Sequence, residues 1–381
     1  MLPLSGVKVI EFCQVAAGPF CGMLLADMGA DVIKVEPPEG DMLRQWPPIS
    51  NGFSENFASL NRNKRSVALD LKSAEGRDAA RRLILSADGV IENNRPGVMD
   101  RLGLGYASLR AENPKLIYCS ISAYGQTGPR AGEGGFDVTV QGMSGIMSVT
   151  GEQGGAPVKA GVPVSDFSAG LYAAFSFASL VAQVRAGGEG AHVDVSMLGA
   201  SLAIGALQTS EYFGTGRDPV KLGSAHPRNA PYQAYPASDG YFVVAAGNNK
   251  LWHGVCDVIA RPDLAADERF ATTADRARNQ VLLAELLKPE FARFTVSGIL
   301  EKLAGAGVPC GPINSYSQAL ADPQVDHMGW IKPIELPGGT RTRTFGSPVR
   351  LGAIDPPIRR NPPGLGEHTA AVLAELAEGG K

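Results

Sequence analysis

Short apolar runs alternate with stretches of helical periodicity along the first third of the chain. Residues 7–12 read as a buried strand, 19–28 as a helix opened by Gly18-Pro19, and 31–35 as a second strand, which makes a βαβ start. Residues 67–71, 89–91 and 116–122 offer further strands, with 74–86 as a helix between the first two. An α/β fold built on an open parallel sheet follows from that alternation. Residues 167–184 carry no charge and approach the length of a membrane span, but they are rich in Ala, Ser and Gly, so they read as a helix buried on all sides in a large core. After Met197 a helical stretch runs to Tyr212 and into Gly214-Thr215-Gly216; the strand pattern at 241–246 then opens a second, smaller lobe with polar helices over 273–302. The expected organisation is a large lobe over 1–212, a small lobe over 222–325 and a return to the large lobe over 326–381. That return passes through the Pro-rich stretch 355–363, which is extended or turning.

Composition narrows the class of protein. The chain has 381 residues, 44% of them hydrophobic and 19% charged, enough to bury the core of an enzyme-sized globular protein. A net charge of -3 with scattered basic residues gives no basic field, so nucleic acid is not expected as a partner. Five cysteines, Cys13, Cys21, Cys119, Cys256 and Cys310, are widely spaced without a CxxC pair, which points to reduced thiols and to no structural zinc. The N-terminal Met-Leu-Pro-Leu-Ser-Gly-Val-Lys lacks the layout of a signal peptide, and a cytoplasmic address without membrane attachment is the expectation.

Two places could carry chemistry. Glu36 ends the second strand where a dinucleotide-binding protein holds a ribose, but the preceding turn, Gln14-Val15-Ala16-Ala17-Gly18-Pro19, is not GxGxxG, and Glu36 reads as a solvated strand end. The second place is Gly161-Val162-Pro163-Val164-Ser165-Asp166, ahead of the uncharged helix. Asp166 reads both as a helix N-cap and as a nucleophile, and the two are compatible. With the ordinary carboxyl pKa of about 3.9 it would be ionised at pH 7 and need no partner base. His192, His226, His253, His327 and His368 show no ligand spacing and read as surface or packing residues; no metal is expected.

Several segments, taken in order, resemble family III CoA transferases. They are Ala17-Gly18-Pro19, residues 25–36, Asn61-Arg62-Asn63-Lys64-Arg65-Ser66, Leu69-Asp70-Leu71-Lys72, Arg95-Pro96-Gly97, Tyr124-Gly125-Gln126-Thr127-Gly128-Pro129, the Asp166 segment, Gly311-Pro312 and Leu365-Gly366-Glu367-His368-Thr369. The resemblance implies a Rossmann-like large lobe, a smaller α+β lobe and two subunits interlocked as rings in a homodimer. It implies that Asp166 takes the acyl group of an acyl-CoA as a mixed anhydride and then forms an aspartyl-CoA thioester. Coenzyme A, as the acyl-CoA substrate, would contact Ala16, Ala17, Leu69, Asp70, Leu71, Lys72, Asn93, Asn94, Arg95, Arg101, Gly134, Gly135, Phe136 and Asp137. A loop of Gly247, Asn248 and Asn249 in the small lobe would border the site and shield the intermediate.

The same resemblance weighs the alternatives, a 2-methylacyl-CoA racemase or isomerase and a non-catalytic CoA-binding protein. Phe136 and Asn248 stand where the racemases have a His and a Glu, and neither moves a proton at neutral pH. Transfer is therefore expected over racemisation. Pro37 and Gly134 replace cations of the formyl-CoA enzyme. With Arg44, Arg62, Asn56 and His226-Pro227-Arg228-Asn229 available as polar groups, the expected substrates are succinyl-CoA or a related dicarboxylyl-CoA and a small di- or hydroxydicarboxylate.

Overall fold

The protein is described by a computed structural model covering residues 1–378. It divides into two compact units, one of 1–146, 159–217 and the chain from Pro323 onward, the other of 147–158 and 218–322.

The larger unit is built on six parallel strands: β1 (Lys8–Phe12), β2 (Asp31–Glu36), β3 (Lys64–Ala68), β4 (Gly89–Glu92), β5 (Ile117–Ser122) and β6 (His192–Ser196). Their order is β3-β2-β1-β4-β5-β6, that of a doubly wound dinucleotide-binding sheet. Val9 pairs with Val32 on one side and Gly89 on the other, and Ile10 with Ile33 and Val90. Successive residues face opposite layers, so the central strands must be apolar on both sides. Val9, Val32 and Ile91 meet the helices α1 (Ala17–Asp27), α4 (Val164–Arg185) and α5 (Met197–Ile204). Ile10, Ile33, Val67 and Val90 meet α2 (Ala74–Leu85) and, through Val372, the C-terminal helix Thr369–Glu378. A short helix, α3 (Asp137–Met143), precedes α4. The larger unit also holds an antiparallel hairpin, Ile331–Leu336 with Thr340–Phe345.

In the smaller unit three antiparallel strands, β7 (Tyr232–Ala237), β8 (Gly240–Ala245) and β9 (Cys310–Pro312), are ordered β9-β8-β7. Helices α6 (Asn249–Val258), α7 (Gln280–Phe291) and α8 (Val296–Gly305) cover them around Trp252, Phe242, Phe291 and Leu303. Arg276 is fully buried there and donates to the carbonyls of Ala230 and Phe270, 2.9 Å in each case.

Three sequence expectations change. The third strand ends at Ala68, so Leu69 to Lys72 form the loop beyond it. The polar helices expected over 273–302 are Thr273–Arg278, α7 and α8, the last running on to Gly305. The uncharged helix starts at Val164 rather than 167, with Pro163 as its cap. Nor is it buried on all sides: Ser168, Ala169, Ala173 and Phe177 pack inward, while Leu171 and Phe175 stand 54% and 72% exposed. By length and composition α4 could cross a membrane, yet its small residues serve a close helix contact. A Cβ at Gly170 would lie 2.7 Å from the Ala17 carbonyl oxygen and 3.0 Å from the Phe20 ring, and the rings of Phe20 and Phe167 sit 4.6 Å apart. Gly170→Val should therefore force α1 from α4 and destabilise the protein by about 1–3 kcal/mol, the usual cost of overpacking. Thermal unfolding checks this, and an unchanged midpoint would refute the contact's importance.

Candidate active site

Open α/β sheets bind ligands beyond the carboxyl ends of the strands, where the strand order reverses. Here that point lies between β1 and β4. A cleft of about 340 Å³ opens there, lined by Phe12, Gln14, Glu36, Pro37, Leu69, Asp70, Leu71, Lys72, Asn94, Met99 and neighbouring residues. The structure thus gathers Leu69 to Lys72 and Asn94 as expected of one site. Asn93 takes another part: its side-chain oxygen accepts from the Gln14 N–H and its amide donates to the Gln14 carbonyl, 2.9 Å each, which ties the turn after β1 to the end of β4. Ala16 and Ala17 follow at the start of α1. Lys72, Arg95 and Arg101 are exposed, and among the described residues none of the three side chains forms an ion pair.

Glu36 is not a solvated strand end. It is 1% exposed, accepts two 2.7 Å bonds from Arg44 and one of 2.6 Å from Ser66 Oγ, and its pKa falls to about 2. Burial alone would raise that pKa; the bonds to Arg44 and the nearby Lys34 charge outweigh it. Arg44 is thereby spent, stacked also on Phe57 at 3.7 Å. Arg62 is buried and paired with Asp27 at 2.6 Å, and Asn56 donates to the Pro47 carbonyl. The expectation that Arg44 and Arg62 orient a substrate carboxylate therefore fails, because each already has its own internal acid.

The second group surrounds Asp166. It is the third residue of α4, inside the first turn rather than at the cap. The preceding residue is fixed from two sides: the Ser165 N–H donates to Asp137 Oδ1 at 2.9 Å, and Ser165 Oγ accepts from Ser201 on α5 at 2.8 Å. Asp137 Oδ2 accepts from Gln141, 2.6 Å away, whose own oxygen accepts from the Ala160 N–H. Asp137 therefore anchors the helix start. Gln141, Ser165 and Ser201 were not singled out by sequence reasoning, since only the packing of α3, α4 and α5 shows what buried amides and hydroxyls bind. Among the described residues no donor bonds the Asp166 carboxylate. Burial, and secondarily the negative Asp137, lift its pKa to about 7, which corrects the expectation of full ionisation at neutral pH. The favourable field of the helix N-terminus is outweighed.

Gly134 and Gly135 link the two groups. A Cβ at residue 134 would stand 2.9 Å from Arg95 Nη2, so the guanidinium at the end of β4 lies over the segment that leads into Asp137. Phe136 is 72% exposed. In the smaller unit, Asn248 caps α6 by accepting from the Leu251 N–H at 3.0 Å, with Gly247 before it and Asn249 as the first helical residue.

A switch-point cleft and a lone carboxylate fit several enzymes; comparison with known proteins decides among them. Residues 4–369 match CoA-transferase family III. The chain belongs to that family. It is 42% identical to a succinate–glutarate CoA-transferase from Agrobacterium fabrum, over 98% of this chain and 96% of the relative. It is 37% identical to the succinyl-CoA:glutarate CoA-transferase of Homo sapiens, over 98% and 86%. A CaiB/BaiF family protein from Brucella suis superposes with a TM-score of 0.87 at 41% identity, covering 98% of this chain and 99% of that one. The protein is accordingly an enzyme of the CoA-transferase class, with CoA thioesters and carboxylic acids as substrates.

If Asp166 must be ionised to react, kcat/KM should rise with pH about a midpoint near 7. Asp137→Asn, which removes the neighbouring charge but keeps an acceptor for Ser165, should move that limb to lower pH; a limb that stays in place would exclude Asp137 as a cause. The stability effect has a definite sign. A carboxyl raised in the folded state favours folding fully below its unfolded pKa of about 4 and loses that contribution as pH rises through 7. Asp166→Asn should hence raise the thermal midpoint more at pH 8 than at pH 4.

Proposed function

We propose that the protein moves CoA between succinyl-CoA, or a related dicarboxylyl-CoA, and a free dicarboxylic acid such as glutarate, with Asp166 as the covalent carrier. The observation that carries this reading is the Asp166 carboxylate itself, without a hydrogen-bond donor among the described residues and partly desolvated at a helix start that Asp137, Ser165 and Ser201 hold in place. Its oxygen attacks the thioester carbonyl, the C–S bond breaks, and the products are a mixed anhydride and CoA thiolate. The thiolate attacks the Asp166 carbonyl and expels the first acid, leaving an aspartyl-CoA thioester. The second acid's carboxylate attacks that thioester and releases thiolate, which then attacks the new acyl carbon and regenerates Asp166. Every step exchanges one acyl bond for another, so the thioester's energy is retained while water is excluded.

The cleft beyond β1 to β4 holds the CoA. Its apolar lining, Phe12, Leu69, Met99 and Leu102, suits the adenine, and Lys72, Arg95 and Arg101 are exposed cations without an ion-pair partner among the described residues, suited to the phosphates. Succinyl and glutaryl substrates are supported by the names of the two relatives, each aligned over nearly the whole chain. Racemisation is disfavoured because Phe136 has no titratable group and the Asn248 oxygen is occupied as a helix cap. In this reading a second copy of the chain covers exposed apolar side chains such as Leu171 and Phe175 on α4 and Leu207 and Phe213 on the helix Ala206–Thr215, in keeping with the homodimer implied by the resemblance; that helix buries none of its residues within one chain.

Succinyl-CoA with glutarate should give glutaryl-CoA and succinate, and Asp166→Ala should abolish this while CoA still binds. Hydroxylamine should trap label at Asp166 after incubation with succinyl-CoA alone. Turnover by the Ala variant near the wild-type rate would exclude the covalent route, and equal or better use of butyryl-CoA would exclude a dicarboxylyl donor.

A further inference from the structure

We infer that Asp41 is a positioning residue for acyl-CoA, acting through the turn that joins β1 to α1; the inference rests on the placement of CoA proposed above. Three consecutive residues of this turn have their backbone tied by side chains from elsewhere. The Cys13 carbonyl accepts from Lys34 Nζ at 2.6 Å, both backbone groups of Gln14 are held by Asn93, and the Val15 N–H donates to the Asp41 carboxylate at 3.1 and 3.3 Å. Val15 has φ of +65°, a left-handed conformation that a β-branched side chain strongly resists. Such a residue stays there only when its surroundings over-determine it, and here it immediately precedes Ala16 and Ala17.

Asp41 is itself fixed. It is 1% exposed, its Oδ2 lies 2.9 Å from the fully buried Lys34 Nζ, and it caps the following turn through the Leu43 N–H. The Asp41 N–H donates to Glu36 Oε2 at 3.0 Å, Glu36 is held by Ser66, and Ser66 Oγ accepts from the Gly366 N–H at 2.9 Å. The Leu365-Gly366-Glu367-His368-Thr369 segment thus reaches the CoA turn through Ser66, Glu36 and Asp41. Thr369 Oγ1 and His368 Nδ1 fasten the same segment to β3, accepting from the N–H groups of Ala68 and Ser66.

The test is steady-state kinetics and CoA-binding calorimetry on the full chain. Asp41→Ala should raise the CoA Kd and the KM for succinyl-CoA about tenfold, with the KM for glutarate within about twofold of wild type. Adding Val15→Gly should recover at least about threefold of the loss, because glycine enters the left-handed region without steric cost. A purely structural role predicts no such recovery and no split between the two substrates, and either result in a folded variant overturns the inference. Should Asp41→Ala not fold, Asp41→Asn keeps an oxygen for Val15 and loses the charge pairing; it should show a smaller rise confined to the CoA terms, and parallel changes in both KM values would refute the role. Lys72→Ala with Arg95→Ala tests the underlying placement separately. Unchanged CoA affinity in that variant removes the placement and the inference together, whereas weakened affinity there with unchanged affinity in Asp41→Ala removes the inference alone.

Discussion

The larger unit is organised around a carboxylate with no access to water. Glu11 points from β1 into the interior between Lys34 on β2, 3.1 Å away, and Lys64 on β3, 2.9 Å away, all three side chains fully buried. Removing one member of such a group leaves an unpaired charge in a low-dielectric interior and costs roughly 3–5 kcal/mol, so each charge requires the others. Burial drives the Lys34 pKa down, but Glu11, Asp41 and Glu36 outweigh it and the ammonium is retained; for Lys64 burial wins and the pKa falls. The two lysines differ because Lys34 also answers to Asp41. Three adjacent strands are therefore locked in register by charge as well as by backbone bonds, and the lock opens on the side where Cys13, Gln14 and Val15 turn into α1.

A second constraint is steric. Helix α4 can approach α1 only because residue 170 has no side chain, and the Phe167 ring in the first turn of α4 then lies 4.6 Å from that of Phe20 on α1. Asp137 completes the placement from α3, by fixing the backbone of the residue before Asp166. The candidate nucleophile thus depends on a carboxylate that does no chemistry, and the turn after β1 depends on another, Asp41. Both spend acidic side chains on backbone N–H groups, a bond to a charged acceptor that is stronger than its neutral counterpart.

The elements most legible in the sequence are those whose apolar residues are consecutive, since strands covered on both faces contain little else. Residues 7–12 and 31–35 show this, and the Gly18-Pro19 helix start between them was clear. Strand β6 was not legible: His-Val-Asp-Val-Ser lies at the sheet edge with one buried residue, so its pattern is that of a polar connection. Thr340–Phe345 alternates threonine with arginine and shows no apolar face at all. At the site, Asp166 was legible as an acid at the start of an uncharged helix, whereas the loop from Leu69 to Lys72 was reached only through the family resemblance; both lie where a site is possible. Glu36, read as solvated, and Arg44 and Arg62, read as available to a substrate, were misjudged for one reason: a charged residue reads as free unless its partner is known, and Asp27 stands 35 positions from Arg62 in the chain.

The raised pKa of Asp166 bears on the direction of the covalent route proposed above. A mixed anhydride between Asp166 and a substrate acid has two carbonyls, and CoA thiolate can attack either. Attack at the acyl carbonyl expels Asp166 and returns to the starting acyl-CoA, while attack at the Asp166 carbonyl expels the acid and moves the reaction forward. The less basic carboxylate leaves more readily. An ordinary dicarboxylic acid has pKa values of about 4 to 5, close to those of free Asp and Glu side chains. Asp166, lifted to about 7 by burial and by Asp137, is the poorer leaving group wherever the departing acid is better solvated than Asp166, and this first anhydride then partitions toward the aspartyl-CoA thioester. Partial protonation of the resting enzyme at neutral pH is the accompanying cost, about a factor of two when pH equals pKa. The same bias opposes the last step of that route, in which thiolate attacks the acyl carbonyl of the second anhydride and expels Asp166, so burial of Asp166 favours the aspartyl-CoA thioester over both anhydrides rather than one direction of transfer.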